Sequence, residues 1–237
     1  QQIIQSERLA AMGQMIGGFA HELNNPLTSI LGMAELLQEG GASEAARKQI
    51  VVLHQQARRA AEIVQNLQYF ATPPAPGRSQ VNLNELVQRT VQMQAYPLRK
   101  SNITVDFLPE PAIPAIVADP KQLMQVFLAL LLNAEQAIRE SREKGTIRIR
   151  IGRNPDSVWV VFQDDGPGIA PENLAHIFDP FFTTRRPGRG TGLGLSICKT
   201  VLREHGGNIE AASAPGGGAV FTITLPVGAV ETGAAAE

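Results

Sequence analysis

The sequence predicts two units of different class, an all-α helical hairpin followed by an α/β sandwich. Three observations predict it. From Leu9 to Ala71 apolar residues step by threes and fours, the period of amphipathic helices. The run Thr72-Pro73-Pro74-Ala75-Pro76-Gly77 then stops any helix and cannot continue a sheet. Beyond it, capped helical stretches and short β-branched runs are mixed, the pattern of helices layered over one sheet.

In the first unit, Leu9, Met12, Ile16, Phe19, Leu23, Leu27, Ile30, Ala34 and Leu37 form one seam. Two consecutive four-residue steps, 19 to 23 to 27, break the strict heptad beside Pro26, where a proline bends a helix. Gly40-Gly41 ends this helix. The second helix carries Ile50, Leu53, Ala57, Ala60, Val64, Leu67 and Ala71. Each helix has one stripe to bury, too little for an independent core, so a homodimer closing into a four-helix bundle is expected. The domain boundaries follow: 1–72 for the hairpin, 73–80 for a linker, 81–228 for the sandwich and 229–237 for a flexible tail.

In the second unit, Asn82 with Glu85 reads as a capping box opening a helix to about Tyr96. Ile103 to Phe107 reads as a strand. Asp119-Pro120 supplies an N-cap and a first-turn proline for a helix to about Glu140. Ile147, Ile149 and Ile151 alternate with Arg148 and Arg150, and Val158 to Phe162 follows an Asn154-Pro155-Asp156 turn, which makes a hairpin with one wet face. Thr191 to His205 reads as a helix ending at Gly206-Gly207, and Ala219 to Leu225 as a last strand.

Composition narrows the class of activity. Hydrophobic residues make up 43% and charged ones 18%, as in an ordinary globular protein, and the net charge of −1 argues against a nucleic-acid partner. One cysteine, Cys198, excludes an intrachain disulfide framework and fits a reducing, cytoplasmic compartment. No apolar run reaches the ~20 residues of a membrane helix, and no signal peptide is visible. The chain begins inside a helical pattern, as expected of a fragment cut from a longer protein.

The stretch Phe19-Ala20-His21-Glu22-Leu23-Asn24-Asn25-Pro26 carries the first chemistry-bearing residues. At 100° per residue His21 lies about 200° from Phe19, so it faces away from the seam, and Asn25 shares its polar face. A neutral imidazole there is a nucleophile titrating near neutral pH, and Glu22 can hold its other nitrogen or act as general base. Alone, this would be an ordinary solvated histidine. Downstream stand Leu132-Asn133-Ala134, Asp164-Asp165-Gly166-Pro167-Gly168 and Gly190-Thr191-Gly192-Leu193-Gly194. Glycines at a helix start let backbone N–H groups approach a phosphate. The absence of Gly-Lys-Ser/Thr excludes a Walker loop.

In that order the four segments resemble the boxes of a bacterial sensor histidine kinase, from about residue 8 to about residue 226. The resemblance implies a dimerisation and phospho-acceptor hairpin joined to an ATP-binding sandwich of the gyrase-like ATPase and histidine kinase type. It makes His21 the phospho-acceptor, Glu22 its partner, and Asn133 the asparagine that helps hold Mg2+ on the phosphates of ATP. Asp164 would accept from the adenine amino group, beside Gly166 and Gly168. Gly190, Thr191, Gly192, Leu193 and Gly194 would bind phosphate, with Arg185, in the preceding lid, reaching the γ-phosphate. Where the family carries a second asparagine this chain has Ala129. The implied partner is the receiver domain of a response regulator, which takes the phosphoryl group on an aspartate and which Asn25 would help dephosphorylate. Membrane attachment, if any, would come through a sensor region outside this chain. Two rivals share the sandwich: a clamp ATPase of the same superfamily, against which His21-Glu22 speaks, and a dimeric ATP-binding scaffold, which Ala129 would suit and Asn133 and Asp164 oppose.

Overall fold

The computed structural model describes residues 77–185, 192–214 and 216–227, together with helical positions between 27 and 60. The chain divides into two compact units, the first Gln1–Ala75 together with Arg185–Thr191, the second Pro76–Thr184 and Gly192–Glu237. In the first unit Leu27–Ile30 are helical, as are positions 48, 50, 52, 53, 56, 57 and 60. The expected boundaries near Gly40 and Thr72, the turn between the helices and the tail from 228 lie outside the described residues.

The second unit is a layer of helices on one face of a five-stranded sheet. Its elements are β1 (Ser79–Val81), α1 (Leu83–Lys100), β2 (Ile103–Leu108), β3 (Ile116–Ala118), α2 (Pro120–Ser141), β4 (Gly145–Arg153), β5 (Ser157–Asp164), α3 (Gly194–Glu204), β6 (Asn208–Ser213) and β7 (Ala219–Pro226). The sheet order is β2-β4-β5-β7-β6, and β1 pairs with β3 alone. β2 and β4 run parallel, and α2 forms part of the crossover such a pair requires. The other pairs in the large sheet are antiparallel.

Alternation along the strands decides which face is covered. Ile147, Ile149 and Ile151 of β4, Val158, Val160 and Phe162 of β5, and Phe221, Ile223 and Leu225 of β7 are buried. On that side Phe127 of α2 meets Phe162, ring centres 5.6 Å apart. On the other side Arg150 donates to the carbonyl and carboxylate of Asp106 at 2.8 and 2.6 Å, and its guanidinium lowers the Asp106 pKa.

Both predicted caps form. Asn82 accepts from the N–H groups of Asn84 and Glu85, and Asp119 accepts from Lys121 and Gln122 at 2.9 and 3.2 Å. Several boundaries differ from the sequence reading. α1 continues past Tyr96 to Lys100 with Pro97 inside its last turns, where the Pro97 carbonyl still accepts from Ser101. β1 begins inside the stretch read as linker. α3 starts at Gly194, not Thr191, because Gly192 adopts φ +67° and cannot be helical.

His205, at the end of α3, is 6% exposed. Its Nδ1 donates to the Val201 carbonyl at 2.8 Å, and its Nε2 accepts from the Asp119 backbone N–H at 3.0 Å. Nε2 can accept only in a neutral ring. Burial pushes the imidazole below its ordinary value of 6.5, outweighing the Val201 carbonyl that acts the other way. Folding therefore excludes a proton that the unfolded chain binds. The stability owed to neutral His205 is present above that ordinary value and is lost as pH falls through the depressed folded one. Urea unfolding followed at Trp159, the single tryptophan, should show a larger loss between pH ~7.5 and ~5 for the native chain than for His205→Gln. Equal losses would remove His205 from the account.

Candidate nucleotide site

Asp164 ends β5 and is 4% exposed. Its Oδ1 accepts two backbone N–H groups, from Gly166 at 2.8 Å and from Ala219 at 3.1 Å. Among the described residues no donor meets Oδ2 at hydrogen-bond distance. Desolvation raises the Asp164 pKa, and the two N–H groups only partly offset it. A buried acceptor with no partner is costly, on the order of 1–3 kcal/mol, so such an oxygen calls for a donor from a ligand or water.

The turn that follows is built to leave room beside this carboxylate. A Cβ on Gly166 would sit 2.9 Å from Asp164 Oδ1 and 3.3 Å from the Ala137 Cβ. Ala137 lies one turn beyond Asn133 on α2, so the Asn133 face of the helix abuts the Asp164 turn. Asn133 itself is half-buried there. Gly168 takes φ +81° against the Gly218 carbonyl. Asp165 serves the scaffold: its Oδ1 accepts from the Thr146 N–H at 3.0 Å, tying the start of β4.

Two supports were not read from the sequence. Ser213, at the end of β6, accepts from the Ile169 N–H at 3.0 Å and donates to the Ile169 carbonyl at 2.7 Å. Gly216, Gly217 and Gly218 all have positive φ, 91°, 106° and 95°. A Cβ on Gly218 would fall 1.9 Å from the Asp164 carbonyl oxygen. That glycine lets β7 start close enough for Ala219 to donate to Oδ1. Gly218→Ala should therefore destabilise the second unit by about 2–4 kcal/mol. A urea midpoint at Trp159 matching the native chain would refute this.

The glycine-rich segment is described from Gly192 onward. Gly192 lies against the backbone of Phe181, where an added Cβ would come within 2.4 Å. Phe181 is itself left-handed at φ +64°. The two ends of the intervening segment thus stand backbone to backbone. Leu193 is buried and occupies the N-cap of α3 without a capping side chain. The first-turn N–H groups, with the positive end of the helix dipole, form the arrangement that receives phosphate. Cys198, one turn further, is buried against the Val126 carbonyl of α2. Burial pushes its thiol up to about 12, which leaves it unreactive.

The structure thus brings together Asp164, Gly166 and Gly168 with the helix face of Asn133, and sets Gly192, Leu193 and Gly194 at the mouth of α3. Arg185 is half-buried at the edge of the described residues. His21, Glu22, Asn25, Gly190 and Thr191 lie outside them.

A helix-covered sheet with a buried strand-end carboxylate and glycine turns defines a nucleotide-binding module. Residues 118–229 match the family of histidine kinase-, DNA gyrase B- and HSP90-like ATPases. Residues 11–76 match the His Kinase A phospho-acceptor domain. The sensor histidine kinase ZraS of Klebsiella oxytoca is 38% identical over 223 residues, covering 93% of this chain and 47% of that protein. The histidine-protein kinase AtoS of Escherichia coli is 37% identical over 233 residues, covering 96% and 37%. Among solved structures, the catalytic domain of histidine kinase ThkA is 34% identical with a TM-score of 0.56, covering 63% of this chain and 95% of that one. ThkA in complex with the response regulator protein TrrA is 30% identical with a TM-score of 0.78, covering 94% and 64%.

The chain belongs to the bacterial two-component sensor histidine kinases, of which it carries the catalytic core. Its second unit is accordingly of ATP-binding type. The chain spans about half the length of ZraS. Among the described residues no helix is long and apolar enough to cross a membrane.

Proposed function

We propose that this chain transfers the γ-phosphoryl group of ATP to His21 and then to an aspartate on a response regulator. The observation that carries the nucleotide half is Asp164, with one carboxylate oxygen held by two backbone donors and the other left for the adenine amino group. The start of α3 lies on the phosphate side of this reading, with Gly190, Thr191, Gly192, Leu193 and Gly194 as its loop and Arg185 as the γ-phosphate contact. The close approach of Phe181 and Gly192 suits the hinge of a lid.

Among the described residues no group of three His, Cys, Asp or Glu side chains could hold a metal. Mg2+ is assigned to the Asn133 amide oxygen together with phosphate oxygens and water, a donor set that suits a hard cation. Bound there, it would neutralise charge developing between the β- and γ-phosphates. Glu22 holds one imidazole nitrogen of His21 through its N–H, and the lone pair of the other attacks the γ-phosphorus. The N–P bond forms as the bond to the ADP oxygen breaks, and Glu22 takes the proton the ring sheds.

Residues 1–72 are assigned the dimer contact, with 73–80 as linker, 81–228 as catalytic domain and 229–237 as tail. In the isolated chain the seam residues Leu27 and Ile50 are 45% and 54% exposed, which suits a homodimer that covers them. The need for ATP places this work on the cytoplasmic side. The relation of ThkA to TrrA supports a receiver domain as the second partner. Incubation with γ-labelled ATP tests the reading: the label should survive base and be lost in acid, as a phosphoramidate is. A label stable to acid, or none, would overturn it.

Asn25 is assigned the reverse step, its amide orienting a water towards the regulator's aspartyl phosphate. Asn25→Ala should keep labelling of His21 and slow loss of phosphate from the regulator by about tenfold or more. Equal rates would remove the role.

A further inference from the structure

Three residues far apart in sequence meet where the chain enters the second unit. Arg78, directly before β1, donates to the Glu204 carbonyl at the end of α3. His205, the next residue, accepts from the N–H of Asp119, the residue that caps α2. β1 is paired with β3, which runs into Asp119. The entry strand, the last turn of α3 and the first turn of α2 are therefore tied at one point.

The same two helices carry the nucleotide site at their other reaches. Gly194 opens α3, ten residues before Glu204, and Asn133 lies fourteen residues beyond Asp119. At about 1.5 Å per residue these are levers of roughly 15 and 21 Å. A tilt of about 5° around the tie would move Gly194 by more than about 1 Å, a displacement that matters for positioning a reacting phosphate.

We propose that Arg78, His205 and Asp119 form a positioning clamp, holding α2 and α3 at the angle that aligns Asn133 with the glycine-rich loop. Because Arg78 lies near the end of the 73–80 linker, the clamp also gives the linker a mechanical hold on the nucleotide site. His205 acts through its neutral ring, as its two opposed hydrogen bonds require. The charged groups around it are Arg78 from the entry strand and Asp119 from α2, with Arg203 and Glu204 on its own helix. The inference rests on the assignment of α2 and α3 to the ATP site.

The test uses the 237-residue chain at a temperature where Trp159 emission reports a folded second unit. Mg-ATP affinity and the amide resonances of Gly192 and Gly194 are measured for Arg78→Ala, His205→Ala and His205→Gln. Arg78→Ala and His205→Ala should weaken ATP binding about tenfold and shift both glycine amides. His205→Gln, whose amide oxygen can still accept from Asp119, should restore both. A His205→Gln chain as weak as His205→Ala would overturn the clamp. So would wild-type affinity and glycine shifts in Arg78→Ala, a variant that leaves the hydrogen bonds of His205 in place and decides the matter even if His205→Ala fails to fold. Failure of the unaltered chain to bind ATP would instead refute the nucleotide-site assignment.

Discussion

Replacing His21 by glutamine is expected to abolish phosphate labelling and to leave ATP binding unchanged. Glutamine keeps the length and polarity of the side chain but has no basic nitrogen lone pair, so the N–P bond cannot form. The expected loss is on the order of a thousandfold or more, as for removal of a nucleophile. ATP is held by the other unit, so its affinity should match that of the native chain. Labelling with γ-labelled ATP and calorimetric titration with Mg-ATP measure the two halves separately. Base-stable label persisting in His21→Gln would refute the acceptor assignment. Lost ATP affinity would show that the substitution reached the nucleotide site.

Asp164→Asn is expected to abolish binding rather than acceptance. The variant can keep its amide oxygen at the Oδ1 position, where Gly166 and Ala219 donate. The amide nitrogen then replaces Oδ2 and points a donor at a donor. Losing a charge-assisted bond and gaining that mismatch should weaken ATP by about a hundredfold, roughly 2.7 kcal/mol. The urea midpoint at Trp159 should remain near that of the native chain, since both scaffold bonds persist. Unchanged ATP affinity would contradict the site. A large drop in midpoint would instead make Asp164 a residue of the scaffold.

How much could be read from the chain depended on how far each signal reached. Asn82 and Asp119 were legible as caps because their acceptors serve N–H groups two or three residues away. The long helix from Pro120 and the hairpin of β4 and β5 were legible through their periods. β1, β3 and β6 were not, since Ser-Gln-Val, Ile-Val-Ala and Asn-Ile-Glu-Ala-Ala-Ser carry too little alternation to stand out. The helix expected to reach about Tyr96 continues through Pro97 and three more residues. The role of His205 was not legible because the backbone group it accepts from lies 86 positions away.

The same division runs through the site. Sequence alone determined the two modules and the order of their boxes, and it singled out Asn133, Asp164, Gly166, Gly168 and Gly194. Those are properties of residue type and spacing, expressed within a turn or two of chain. Only the tertiary structure decided that one oxygen of Asp164 is held and the other left open, because one of the two donors, Ala219, comes from 55 positions away. It alone decided that Gly218 is a required close approach, since the obstacle to a side chain there is the Asp164 backbone. A chain specifies its turns and faces locally, but a buried polar atom is satisfied or orphaned only by what packing brings beside it.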